Sequence, residues 1–272
     1  MQKKAIYTFI LIIIFSSCEQ KIDWNLQNDD YDFIIIEGII TNKREYHEIK
    51  ITKSVNNLNE IPLPVTDATV SIYDGKNYYI LTQDSLNGIY KPDTTFIGVI
   101  NKNYILTVDY QGTKYYSQAQ MLPALPIDTL SYSLDSDKNL YSINYVAPTF
   151  SDQEDAMYEI NLNWSHLPEY KDSSYNSTHA KTYYYTLSSI DVSEIFAPER
   201  ETIYFPKGTI INEKKYSLSA EHSAFIRSLL FETEWRGGYF DSQQGNVETN
   251  ISNGGLGFFG ACTLIEREFV VE

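Results

Sequence analysis

Short runs rich in β-branched and aromatic residues, each cut off by turn formers, commit this chain to sheets. From Phe33 onward the runs read 33–41, 47–53, 68–73, 78–83, 88–90, 104–110 and 114–119. The sixth shows the pattern most clearly: Tyr104, Leu106, Val108 and Tyr110 fall on one face, Ile105, Thr107 and Asp109 on the other, so one face is wet. Gln111-Gly112 leaves a two-residue hairpin connection, and Asp74-Gly75 supplies the positive φ of another turn. With 23 Tyr, 13 Phe and 3 Trp in 272 residues, the composition favours strands as well. Seven strands fit an immunoglobulin-like sandwich.

Leu122-Pro123-Ala124-Leu125-Pro126 is the clearest boundary, because its two prolines hold an extended path and bring no backbone donors to a sheet. It divides an N-terminal β-sandwich at 33–122 from a C-terminal β-rich domain at 127–272. In the second, strands are expected at 127–134, 140–146, 158–164, 181–187, 256–261 and 263–271, with a polar loop at 169–179. Ser219 followed by Phe225, Ile226, Leu229 and Leu230 at helical spacing predicts one N-capped helix near 219–233. The expected fold is therefore mainly β: two immunoglobulin-like or transthyretin-like β-sandwich domains, the second with one α-helix.

The first residues read as an address. Lys3 and Lys4 precede an apolar run from Ala5 to Phe15, which ends at Ser16-Ser17-Cys18. A spanning helix needs about 20 apolar residues, so this run is a signal peptide, 1–17. Small residues directly before a cysteine resemble the lipobox of bacterial lipoproteins, which makes Cys18 the lipidation site and 18–32 a polar tether. Each buried methylene contributes about 0.8 kcal/mol, so several acyl chains anchor a protein that one would hold only reversibly. Loss of Lys3 and Lys4 with the signal changes the formal charge from −15 to −17, and nucleic acid is excluded as a partner.

Sites of chemistry are scarce. Gly255 to Gly260 satisfies GxGxxG, but it follows a polar loop and leads into a strand, so a glycine strand packed closely on a neighbour is expected rather than a nucleotide site. Asp135, Asp137 and Asn139 imitate the start of a calcium loop, yet Val146 stands where the bidentate glutamate belongs, and a turn is expected. Asp152, Glu154 and Asp155 form an acidic cluster that could hold calcium with backbone carbonyls; no metal is assigned. His47-Glu48 lacks its second histidine, and His166, His179 and His222 show no ligand spacing. Cys262 reads as a small buried hydrophobe. Tyr78-Tyr79, Tyr115-Tyr116 and Tyr183-Tyr184-Tyr185 place some rings outward, where they could stack on sugars or contact a partner. No cofactor and no enzymatic activity are expected.

Several pieces together resemble the domain of unknown function 4249 family of outer-membrane lipoproteins. They are Cys18 with Ile22-Asp23, Ile36-Glu37-Gly38-Ile39-Ile40-Thr41, Asp67-Ala68-Thr69-Val70-Ser71-Ile72, Gly88-Ile89-Tyr90, Pro126-Ile127-Asp128, and the stretch from Asn250 to Gly260. The resemblance implies a companion of a TonB-dependent outer-membrane transporter, acting in nutrient uptake, with only Cys18 carried over as a functional residue. The expectation is a lipid-anchored outer-membrane protein, on either leaflet, that is a non-enzymatic accessory or ligand-capture partner for a glycan or peptide. The alternative is a stand-alone surface adhesin or hydrolase.

Overall fold

In the computed structural model, alternation becomes the wall of a barrel. Residues 32–57, 59–83, 85–237 and 245–272 are described; the signal peptide expected at 1–17, Cys18 and the tether as far as Tyr31 lie outside them. Strands β1 (Ile34–Thr41), β2 (Ile49–Lys53), β3 (Thr69–Tyr73), β4 (Tyr78–Thr82), β5 (Ile89–Pro92), β6 (Asn103–Tyr110) and β7 (Thr113–Gln120) all join one sheet. Its order is β13-β1-β2-β5-β4-β3-β6-β7, with β13 (Leu256–Cys262) arriving from the far end of the chain.

The free edges nearly meet. Tyr116 N donates to Ser252 Oγ at 2.8 Å, and Asn253 Nδ2 donates to the Lys114 carbonyl at 2.6 Å. Inside lie Ile36, Ile40, Ile51, Val70, Ile72, Leu106 and Val108. Apolar side chains thus fill the interior, the reverse of a membrane barrel with a polar lumen. The β6–β7 hairpin closes through Gln111 and Gly112, with φ of 49° and 80°, as the two-residue loop requires.

Beyond the prolines the chain forms β8 (Ser131–Asp135), β9 (Leu140–Tyr145), β10 (Asp155–Asn163), β11 (His179–Thr186), β12 (Ile210–Leu218) and β14 (Leu264–Val270). Four of them make an antiparallel sheet, β11-β10-β12-β14, and β8–β9 make a hairpin. A second core of Tyr158, Ile160, Leu162 and Ile211 packs with Leu130, Val146 and Phe205. Strand β12 corrects the sequence reading, which has no strand there. Its inward positions are Ile211, Glu213, Lys215 and Ser217, and such a face carries no apolar alternation.

The first sheet is not made by 33–122 alone, since β13 completes it, and Asp32–Glu272 clusters as one unit. What the structure establishes is a mainly β protein with a nearly closed eight-stranded sheet and one long helix. The proline segment is strapped down by side chains. The Leu122 carbonyl accepts from Ser217 Oγ at 2.9 Å and from Thr263 Oγ1 at 2.6 Å, and Leu125 N donates to Glu154 at 2.9 Å.

Two helices follow β11: α1 (Val192–Ile195) and α2 (Ala220–Thr233). Ser219 caps α2, its Oγ accepting from His222 N at 3.2 Å. Ser219→Ala is expected to cost about 1 kcal/mol in urea unfolding; an unchanged midpoint would show that the cap contributes nothing. The buried face runs through His222, Ile226 and Leu230 with Ser223 and Phe231, while Phe225 and Leu229 lie half-buried.

Helix α2 lies over β13, which is why β13 is apolar on both faces. Phe259 and Ala261 enter the barrel core, while Cys262 joins Met157, Leu218, Ile226 and Leu230 beneath the helix. His222 is buried here, its ring 4.4 Å from Phe258 and its Nδ1 3.6 Å from Cys262 Sγ. Burial lowers the imidazole pKa to about 4 from 6.5 and pushes the thiol up to about 12.

Folding therefore requires neutral His222, and its contribution is full above pH 6.5 and is lost as the pH falls toward 4. On this account stability declines by on the order of 3 kcal/mol across that window. The measurement is urea unfolding of wild type and His222→Phe at each pH. Equal slopes in the two proteins would contradict it.

Candidate functional site

The outer face of the four-stranded sheet divides in two, and the division follows from register. At one end Tyr185, Met157, Tyr216 and Leu264 stand in a cross-strand row, and α2 packs against that end. The next rows are polar: Tyr183, Glu159, Lys214 and Glu266, then Lys181, Asn161, Asn212 and Glu268. Here the helix has ended. An open groove of about 480 Å³ remains, floored by Glu159, Lys214, Glu266 and the second of these rows, and rimmed by Tyr175 from the turn before β11 and His179 at the start of β11.

Glu159 organises the floor. Its Oε1 accepts from Asn161 Nδ2 at 2.8 Å and Lys214 Nζ at 3.2 Å, while Oε2 takes Tyr183 OH at 3.3 Å and lies 3.4 Å from Lys181 Nζ. Burial resists its ionisation, but the Asn161 hydrogen bond and the two ammonium groups outweigh that, so the carboxyl stays below its ordinary range. A second node is Glu266, which pairs with Lys43 and accepts from Asn212 Nδ2 at 2.9 Å. Hydrogen bonds from Lys43 and Asn212 hold its carboxyl low too.

Asn161 and Asn212 sit directly opposite each other. Each spends amide hydrogen on a glutamate of the neighbouring row, which fixes the side chain and leaves its carbonyl oxygen for a ligand. At the rim, Tyr175 is 71% exposed and its ring stacks on His179 at 4.0 Å and 13°. His179 is itself held by the Tyr175 carbonyl and Thr178 Oγ1. The arrangement offers fixed hydrogen-bonding groups and one flat aromatic surface.

Cys18 lies outside the described residues. Glu154 is ion-paired with Lys215, and Asp155 accepts from Ser188, so both carboxylates are engaged by protein groups. Among the described residues no group of three or more His, Cys, Asp or Glu is gathered for a metal ion. Asp135 receives Asp137 N and Lys138 N in the β8–β9 turn. Of the GxGxxG glycines, Gly255 directly precedes β13 while Gly257 and Gly260 lie in it, and Gly257 lies against the Ile36 backbone. Tyr183 and Tyr185 pack, partly buried, against the cluster that Met157 and Leu218 form with Ile226 and Leu230 of α2. Sequence reasoning missed the groove because Asn212 and Lys214 come from β12, where no strand is expected, and because Tyr175 lies in a segment read only as polar loop. The one available signal was the outward alternation Ile210, Asn212, Lys214, Tyr216.

Fold and site define a mainly β protein whose nearly closed sheet adjoins a smaller sheet bearing a polar groove. The chain belongs to the family described as Domain of unknown function (DUF4249), whose model matches residues 19–267. Among solved structures it is similar to the crystal structure of pullulanase from Anoxybacillus sp. LM18-11, at 14% identity, over 66% of this chain and 24% of that one, with a TM-score of 0.20. No curated protein matched the sequence.

Proposed function

We propose that this protein is a lipid-anchored, non-enzymatic accessory of a TonB-dependent outer-membrane transporter, capturing ligand in the groove of the four-stranded sheet. The observation that carries the reading is the open, pre-organised groove, together with the resemblance of Ser16-Ser17-Cys18 to a lipobox after the apolar run 5–15. A groove lined by groups already tied to one another fits binding, since the floor carboxylates are held ionised by neighbouring donors rather than poised to exchange protons. In this reading the core inside the eight-stranded sheet and the core of the four-stranded sheet belong to two immunoglobulin-like or transthyretin-like sandwich domains.

Cross-linking followed by pull-down of the full chain from solubilised outer membrane is expected to recover a TonB-dependent transporter, and Cys18→Ala is expected to release the protein from membranes. Repeated recovery of no transporter, or unchanged membrane fractionation of Cys18→Ala, would sink the reading.

A further inference from the structure

From the groove's chemistry we infer that its ligand is a neutral oligosaccharide, lying across Asn161 and Asn212 with one sugar ring against Tyr175. The inference rests on the ligand-capture reading above and adds the class of ligand. Three properties of the groove select that class. Its charge nearly cancels: Glu159, Glu266 and Glu268 stand with Lys181 and Lys214 in the lining, and Lys43 pairs with Glu266 from beside the groove. A polyanion or a polycation therefore gains little net attraction.

Fixed amides and charges stand in the groove beside Leu162, Ala180 and Ile210, so a wholly hydrocarbon ligand would strip water from those polar groups without replacing their hydrogen bonds. Sugar hydroxyls both donate and accept, and so can satisfy the Asn161 and Asn212 carbonyl oxygens and the Lys181 and Lys214 ammonium groups together. Tyr175 then gives the third property. One side of its ring is backed by His179 and the ring is otherwise open, which suits the apolar C–H face of a pyranose. A peptide strand would instead need a free sheet edge for its backbone, and the groove lies on a sheet face.

The test is affinity electrophoresis of the full chain, purified in detergent, through gels containing dextran, mannan, laminarin, xyloglucan or polygalacturonate. Retardation is expected in at least one neutral polysaccharide and not in polygalacturonate. Tyr175→Ala should weaken it about tenfold or more, and Tyr175→Phe should retain it. Tyr175 is exposed, so its loss leaves folding intact, which an unchanged unfolding midpoint verifies. No retardation in any neutral gel, retardation in polygalacturonate alone, or equal retardation of Tyr175→Ala would each overturn the inference. Pull-down of the same proteins keeps the two readings apart. Polysaccharide binding without a transporter defeats only the accessory role, and a recovered transporter without polysaccharide binding defeats only the glycan.

Discussion

Gly257→Val is expected to destabilise the fold by about 4 kcal/mol or more, among the largest effects of any single substitution here. Two costs coincide at this position. The backbone φ is 91°, which a β-branched residue adopts only under strain. A Cβ would also lie 2.3 Å from the Ile36 carbonyl oxygen, within the parallel pairing of β13 with β1. The neighbour is backbone in a hydrogen-bonded ladder, so it cannot swing aside.

Gly112→Ala separates the two contributions. Its φ is 80° but a Cβ there meets nothing within 4 Å, so only the conformational cost of about 1–2 kcal/mol is expected. Urea unfolding of both variants checks the difference. If Gly257→Val and Gly112→Ala lose equal stability, close approach of β13 to β1 is not what fixes this glycine.

Glu154→Ala is expected to cost about 3–5 kcal/mol, because it strands a buried charge. Lys215 is 1% exposed, and its ammonium is held by Glu154 and the Pro126 carbonyl at 3.2 Å. Glu154 also receives Leu125 N, so the same carboxylate fixes the proline segment. Adding Lys215→Met should recover most of the loss, since burying a methionine needs no partner.

The exposed pair Lys50–Glu37, 3.4 Å apart, is the contrast. Glu37→Ala is expected to change stability by no more than about 0.5 kcal/mol. Unfolding measurements on the four proteins decide. A double variant no more stable than Glu154→Ala would mean that the cost lies in the proline strap rather than in the unpaired charge.

These same residues explain which parts of the fold were legible beforehand. The strands now seen at 103–110 and 113–120 could be read from chain-local facts: alternation that buries Tyr104, Leu106 and Val108, and Gln111-Gly112 able to take positive φ. Ser219 as a cap was equally local, because its acceptor serves an amide three residues on. The acidic cluster at 152–155 misleads for the opposite reason. Glu154 faces a lysine 61 residues later, and nothing near it in the chain announces that partner.

Chain-local chemistry, then, determined most strands, the tight hairpin and the capped helix, since each depends on side chains within a few positions of one another. Tertiary structure alone decided the rest. Strand β12 is stable inside only because Glu213, at 0% exposure, meets Arg267, and Lys215 meets Glu154. The parallel seam of β13 on β1 joins residues more than two hundred positions apart. The groove exists because α2 ends before it covers the polar rows of β10, β11, β12 and β14, and a charge that needs a distant partner leaves no periodic trace in the sequence.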